Sequence, residues 1–230
     1  MRRASRTLEV MGCADASAAR FPAALSRSPE YNVRMRLHLR DRQGSLVAAW
    51  RTAFSGLAGV EVSAGDIFDV RADAIVSPAN SFGYMDGGID LAYSERFGPG
   101  LQARLQRLLR EEHFGELPVG QAVIVETLDD QLPFLVSAPT MRVPGPVPTS
   151  VNAYLAFRAA LIAVKQHNAA GRRAIGSVLC PGLASAIGGM PPSRVAAQMR
   201  LAWDIVMGSK PWPPPTGSGV LASHARLTGE

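Results

Sequence analysis

The feature that most constrains this chain is an alternation. From Met35 onward, short apolar or period-two segments take turns with longer segments of helical spacing. "MRLHLRD" alternates apolar and polar residues, as a strand with one buried face does. "SLVAAWRTAFSGL" then sets Leu46, Trp50, Phe54 and Leu57 at helical spacing, with Ser45 as a candidate cap. Strands are expected at "VEVSAG" and "DAIVSP", the second apolar nearly throughout, as a strand covered on both faces should be. "GIDLAYSERFG" and "PGLQARLQRLLREEH" read as helices, the latter carrying Leu101, Leu105, Leu108 and Leu109 in one stripe behind Pro99. Strands "AVIVETL" and "FLVSAPT" come next, followed by a loop, "RVPGPVPTS". Thr149 or Ser150 is placed to cap a long helix whose Tyr154, Phe157, Leu161 and Val164 share a face. "AIGSVLCP" is the last strand and "PSRVAAQMRLAWDIVMG" the last helix of the pattern. Strands alternating with helices give parallel pairings with both faces covered, so the expected fold is a three-layer α/β domain.

The pattern divides the chain into a flexible basic leader over residues 1–34, a domain over 35–208 and a flexible proline-rich tail over 209–230. Because Met35 opens the first patterned segment, a native start at that residue is one expectation for the leader. Charge follows the same division. The chain carries a net +5, but residues 1–42 hold nine Arg against four acids, while residues 43–230 hold fifteen basic and fifteen acidic side chains. A neutral body without a basic stripe interleaved with aromatics argues against a nucleic-acid-binding core, leaving only nonspecific or poly(A) contact through the leader. Two cysteines, Cys13 and Cys180, make no disulfide framework and point to a reducing compartment, most simply the cytoplasm. No apolar run approaches the roughly 20 residues of a membrane span, and Arg2 and Arg3 are not followed by the apolar stretch of a secretory signal.

Two glycine-rich loops stand at strand ends, where open α/β sheets bind their ligands: "SPANSFGYMDGGID" after the strand ending near Val76, and "PGLASAIGGMP" after the one ending at Cys180. Each precedes a helix, so their backbone N–H groups are placed to receive anionic oxygen, and two such loops suggest two phosphates. Gly87 with Gly88, and Gly188 with Gly189, would let backbone approach a ligand closely. Neither loop has the Lys-Ser/Thr ending of a P-loop or the spacing of a dinucleotide fingerprint. His38, His113, His167 and His224 are scattered without ligand spacing, so neither a metal nor another cofactor is expected. Cys180 reads as a small buried residue at a strand end.

The stretch "AGDIFDVRADAIVSPANSFGYMDGGID" resembles the signature of the macro domain family, and "GLASAIGGMP" resembles that family's second phosphate loop; together the resemblance covers roughly residues 35–208. It implies an α/β/α mixed sheet with a pocket for ADP-ribose. In those terms Asp66 matches the acid that accepts the adenine amino group, with the Ile67 backbone beside it. Asn80 matches the residue that holds the distal ribose, and Gly87, Gly88 and Ile89 match the loop near that ribose and the diphosphate. Ser185, Ala186, Ile187, Gly188 and Gly189 match the opposite phosphate loop. Asp90 matches the acid of those members that hydrolyse ADP-ribosyl bonds. The sequence departs from the family at Ser77 and Pro78, where the family's first Asn is replaced, at Met85 and Asp86 within the glycine run, and at Ala184, Ser185 and Ala186.

Each of these residues also has a plainer reading. Asp90 lies in a helix first turn, where the dipole alone favours an acid in its charged form. Asn80 is a residue type that satisfies its own turn, and Asp66 one that caps. Two functions stay open on the sequence: hydrolysis of an ADP-ribose derivative (ADP-ribosylated protein, O-acetyl-ADP-ribose or ADP-ribose 1''-phosphate), with Asp90 activating water and Asn80 holding the sugar, or a reader that only binds ADP-ribose. Asp86 is expected to face solvent or its own loop.

Overall fold

The computed structural model describes residues 35–208 and 210–229, so the expectation of a flexible leader over 1–34 lies outside the described residues. The chain runs β1 (Arg36–Asp41), α1 (Gly44–Ala53), β2 (Val60–Ala64), a 3-10 turn (Ile67–Asp69), β3 (Ala74–Ser77), α2 (Gly88–Phe97), α3 (Gly100–His113), β4 (Val123–Glu126), β5 (Phe134–Ser137), α4 (Asn152–Ala169), β6 (Ser177–Cys180), α5 (Pro192–Val206) and α6 (Gly217–Thr228). The strands form one sheet in the order β2-β1-β6-β3-β5-β4. All pairings are parallel except β4 with β5 at the edge, which a short antiparallel return explains.

The alternation of the strands decides the layers. Ala74 and Val76 of β3, Phe134 and Val136 of β5, and Val178 and Cys180 of β6 face a core built with Trp50 of α1, Phe157 and Leu161 of α4, and Val195 and Met199 of α5. Ile75, Leu135 and Leu179, one residue out of step, face the second core with Tyr93 of α2 and Leu101, Leu105 and Leu109 of α3. Each central strand is therefore covered on both sides, which is why β3, β5 and β6 are buried at every position. The period-two pattern of β1 has the complementary cause. Leu37 and Leu39 are fully buried, while His38 meets Glu61 of β2 at 3.1 Å on the face that α2 and α3 leave partly open.

Three expectations are corrected. Ser45 lies inside α1, whose cap position is Gln43, steadied by the Asp41 carboxylate accepting from the Gln43 amide at 2.8 Å. At α4 the cap position is Val151, although the Ser150 hydroxyl does accept from the Asn152 amide at 3.2 Å. Within the stretch read as tail, residues 217–228 form a helix. Its Thr216 accepts from the Gly219 amide, a cap before an apolar segment, and Leu227 inserts into the first core. The buried Gln198 of α5 locks it there: its amide nitrogen donates to Leu227 O at 2.9 Å and to Ser150 O at 2.8 Å, and its oxygen accepts from the Tyr154 amide at 3.0 Å. Prolines before the helix masked this signal, because a proline marks a turn and leaves the conformation of the next segment open. No helix among the described residues is long and apolar enough to cross a membrane.

Candidate functional site

The carboxyl ends of β1, β2, β3, β5 and β6 open on one cavity of about 950 Å³. Its walls are the two glycine loops, the turn at Asp66 and the segment after β5. Of the residues singled out in the sequence, Asp66, Ile67, Asn80, Gly87, Gly88, Ile89, Asp90, Ser185, Ala186, Ile187 and Gly188 all line it. Gly189 does not; it is an exposed residue at φ +63° whose amide donates to Ala186 O at 3.0 Å, so it closes the turn rather than facing the cavity.

The two loops face each other. A Cβ built on Gly88 would lie 3.8 Å from Ile187 Cδ1 of the opposite loop. Gly188 is required by close approach, since a Cβ there would sit 2.5 Å from Ala184 O. Among the described residues, the amides of Ser185, Ala186, Ile187 and Gly188 donate to no protein acceptor. Neither do those of Gly88, Ile89 and Asp90, the first donors of α2, which a helix start leaves unpaired. Two sets of unpaired N–H groups on either side of one cavity make a receptor for anionic oxygen. The second loop keeps its shape through Val147 N donating to Gly188 O at 2.8 Å and Met190 N donating to Ala184 O at 3.0 Å. It reaches α5 only after an extended stretch, so its donors are loop amides and not a helix start as the sequence suggested.

Asn80 fixes the first loop from within. Its Oδ1 accepts from the amides of Phe82 at 3.0 Å and Tyr84 at 3.3 Å, and its Nδ2 donates to Tyr84 O at 2.8 Å. The plainer reading of Asn80 as a turn residue is thus realised, with the result that the Tyr84 ring stands 54% exposed at the cavity wall. Ser81 N donating to Arg142 O, and the Arg142 guanidinium 5.0 Å over the Phe82 ring, tie the loop to the segment after β5.

Asp66 likewise meets its own chain. Its Oδ1 accepts from the Phe68 amide at 3.0 Å, capping the 3-10 turn, and its Oδ2 pairs with the exposed guanidinium of Arg42. The Phe68 amide first, then Arg42, hold this carboxyl below its usual range. Arg40 secures the same turn: Nε donates to Asp66 O at 2.6 Å and the guanidinium reaches Ser63 Oγ and Asp69 Oδ2 at 2.8 and 2.9 Å. Neither arginine was singled out in the sequence. The polar face of β1 was the signal, since alternation sends Arg40 to the side not covered by helices.

Asp90 is the opposite case. It is 8% exposed, its Oδ1 accepts from the Ser77 hydroxyl at 2.6 Å, and burial pushes its pKa up to about 6 despite that bond, with Asp86 adding to the rise. The helix-dipole expectation of a carboxyl favoured in its charged form is therefore overridden by desolvation. Asp86 itself is exposed on the cavity wall. Cys180 is fully buried beneath the second loop and its thiol is pushed well up by burial, which makes it inert. Among the described residues no His, Cys, Asp and Glu cluster has the arrangement of a metal site.

Residues 76–199 match the family model of the Macro domain. An uncharacterized protein of Aeropyrum pernix is 36% identical over 154 residues, spanning 66% of this chain and 73% of that protein. One of Aquifex aeolicus is 31% identical over 140 residues, spanning 61% and 78% respectively. Among solved structures, a mutant Oceanobacillus iheyensis macrodomain with ADPR aligns at TM-score 0.51 and 19% identity over 72% of this chain and 91% of its own. The macrodomain of Mycobacterium tuberculosis DarG aligns at TM-score 0.50 and 23% identity, over 62% and 88%. At these identities the structural likeness speaks for the fold.

Proposed function

The chain belongs to the macro domain family, and from that premise we propose that it binds ADP-ribose and hydrolyses an ADP-ribose derivative. The observation that carries the binding half is the pair of facing loops with unpaired amides across one cavity. On this reading Asp66 and the Ile67 amide take the adenine, Gly87 to Ile89 and Ser185 to Gly188 take the diphosphate, and the distal ribose lies near Asn80 and Asp90. A volume of about 950 Å³ is ample for a ligand of that size. We take residues 35–208 as the part that carries the site, with α6 packed onto its first core. The low cysteine content, with a buried Cys180 that is unpaired among the described residues, supports a cytoplasmic setting.

The hydrolytic half rests on Asp90. A general base works best with a pKa close to the working pH, and a carboxyl raised to about 6 by burial is so poised. Asp90 would take a proton from water as that water bonds to the anomeric carbon of the distal ribose. The bond from that carbon to the carboxylate or phosphate oxygen of the group released breaks, that group departs with the electron pair as an anion, and the loop amides hold the diphosphate in place. Its substrates are an ADP-ribosylated protein, O-acetyl-ADP-ribose or ADP-ribose 1''-phosphate. A non-catalytic reader is the second reading, favoured by Asn80, whose side chain is already committed to its own loop.

Calorimetric titration with ADP-ribose tests the common premise: saturable heat is expected, and none at millimolar ligand would end both readings. Incubation with mono-ADP-ribosylated protein and with O-acetyl-ADP-ribose separates them. Turnover by wild type that is lost in Asp90→Ala marks a hydrolase; equal inertness with retained binding marks a reader.

A further inference from the structure

Beneath the first glycine loop, the Asp90 carboxylate has one side-chain partner among the described residues. Ser77 ends β3 and is fully buried. It lies in register with Ser137 of β5, and its carbonyl accepts from the Ala138 amide at 3.0 Å, so its backbone is held in the middle of the sheet. Its hydroxyl donates to Asp90 Oδ1 at 2.6 Å. Oδ2 of the same carboxylate has no partner among the described residues, and Asp90 lines the cavity. One oxygen is thus pinned by a rigid strand and the other is left for chemistry.

We propose that Ser77 is the positioning residue of this site: its hydroxyl fixes Oδ1 of Asp90 so that Oδ2 is the oxygen offered to the water and the distal ribose. This rests on the reading of Asp90 given above. Ser77 stands where the family resemblance would put an asparagine, a side chain of different length and donor geometry. A short hydroxyl at the strand end leaves room for Asp90 to be buried directly above it.

The groups around Asp90 leave this task to Ser77. Asp86, in the loop ahead of α2, opposes ionisation of Asp90. Tyr93, one turn further along α2, is fully buried and donates its hydroxyl to Val76 O at 3.1 Å rather than to the carboxylate. Cys180 at the end of β6 and Asp41 at the end of β1 act on Tyr93 and add no cation. Among the described residues, the Ser77 hydroxyl is the one side-chain group that favours the charged form of Asp90. A serine serving only to fill space would not be coupled to the carboxylate's proton.

The test is the titration of Asp90 in the ligand-free protein, followed by carboxyl 13C NMR with Asp90→Asn to assign the resonance. In Ser77→Ala the midpoint is expected to rise by about one unit, the effect of losing a hydrogen bond to a charged group. Ser77→Thr, which keeps the hydroxyl, is expected to restore it. Ser137→Ala removes the neighbouring hydroxyl, which is buried without a partner, and is expected to leave the midpoint in place. An unchanged midpoint in Ser77→Ala, or an equal rise in Ser137→Ala, overturns the proposal. If the protein hydrolyses a substrate, the rising limb of its pH profile moves with the NMR midpoint in Ser77→Ala, and a limb that stays put also overturns it. The NMR result needs no turnover, so inertness of wild type would remove the hydrolase reading without deciding the Ser77 contact.

Discussion

Two aspartates stand on the same cavity in contrasting surroundings. Asp66 is partly exposed, accepts from a backbone amide and pairs with Arg42, and its carboxyl is held below the usual range. Asp90 is buried, has a single neutral donor and a like charge nearby, and is pushed up to about 6. Charge is settled at one end and poised at the other. An acid that is always ionised suits recognition of a donor group, whereas one that gains and loses its proton near neutrality suits work on a proton. The fold achieves this division through burial and the choice of partners.

The comparison is broken most severely at Asp90. Asp90→Ala is expected to lower turnover of an ADP-ribosyl substrate by about 100-fold or more, the usual worth of a general base, with ADP-ribose affinity within about threefold of wild type. Stopped-point hydrolysis assays beside calorimetry read both numbers; equal losses in the two would make Asp90 a binding residue.

Asp90→Asn tests the burial itself. Because the folded pKa of Asp90 lies above the unfolded value of 3.8, the folded state holds the proton more tightly, and stability falls as pH rises through the window from about 4 to 6. The neutral amide escapes that cost, so the variant is expected to be stabilised by up to about 3 kcal/mol above pH 7, with the gain fading as pH falls toward 4. Denaturant melts at pH 7.5 and pH 4 decide it, and a gain that does not depend on pH would count against a desolvated carboxylate.

At the other end the effects are smaller. Asp66→Ala is expected to weaken ADP-ribose binding roughly tenfold, in keeping with one lost hydrogen bond to a charged group, while turnover at saturating substrate is kept. Arg42→Ala removes only an exposed ion pair, so stability should stay within about 0.5 kcal/mol of wild type. Its binding measurement sharpens the picture further: tighter ADP-ribose binding would mean that Arg42 competes with the adenine for Asp66.

Much of the architecture was legible beforehand. The nearly uniformly apolar "DAIVSP" announced a strand covered on both faces, "AIGSVLCP" announced a strand, the leucine stripe of α3 announced its buried face, and the two glycine loops were placed at strand ends where a cavity does open. Asp66, Asn80 and Asp90 were named as candidates through the resemblance to the macro domain signature, and each also had a plainer local reading: a cap, a turn asparagine, a first-turn acid. What those side chains do was not legible. Asn80 spends its amide on Tyr84 and Phe82, and Gly189 turns out of the cavity. The helix at 217–228 was hidden because its anchor, Gln198, is distant in the chain, bonding Leu227 across a separation of 29 residues.

The sequence by itself determined the layered α/β plan, the strand ends that carry glycine, and the kinds of side chain available at the site, because periodicity and backbone permission are properties of neighbouring residues. Only the tertiary structure decided which of those side chains are free and which are charged. The ionisation of Asp90 depends on Ser77, 13 positions earlier in the chain, and on the layers that exclude water around both. Desolvation is a property of the whole packed surface, and no local pattern encodes it.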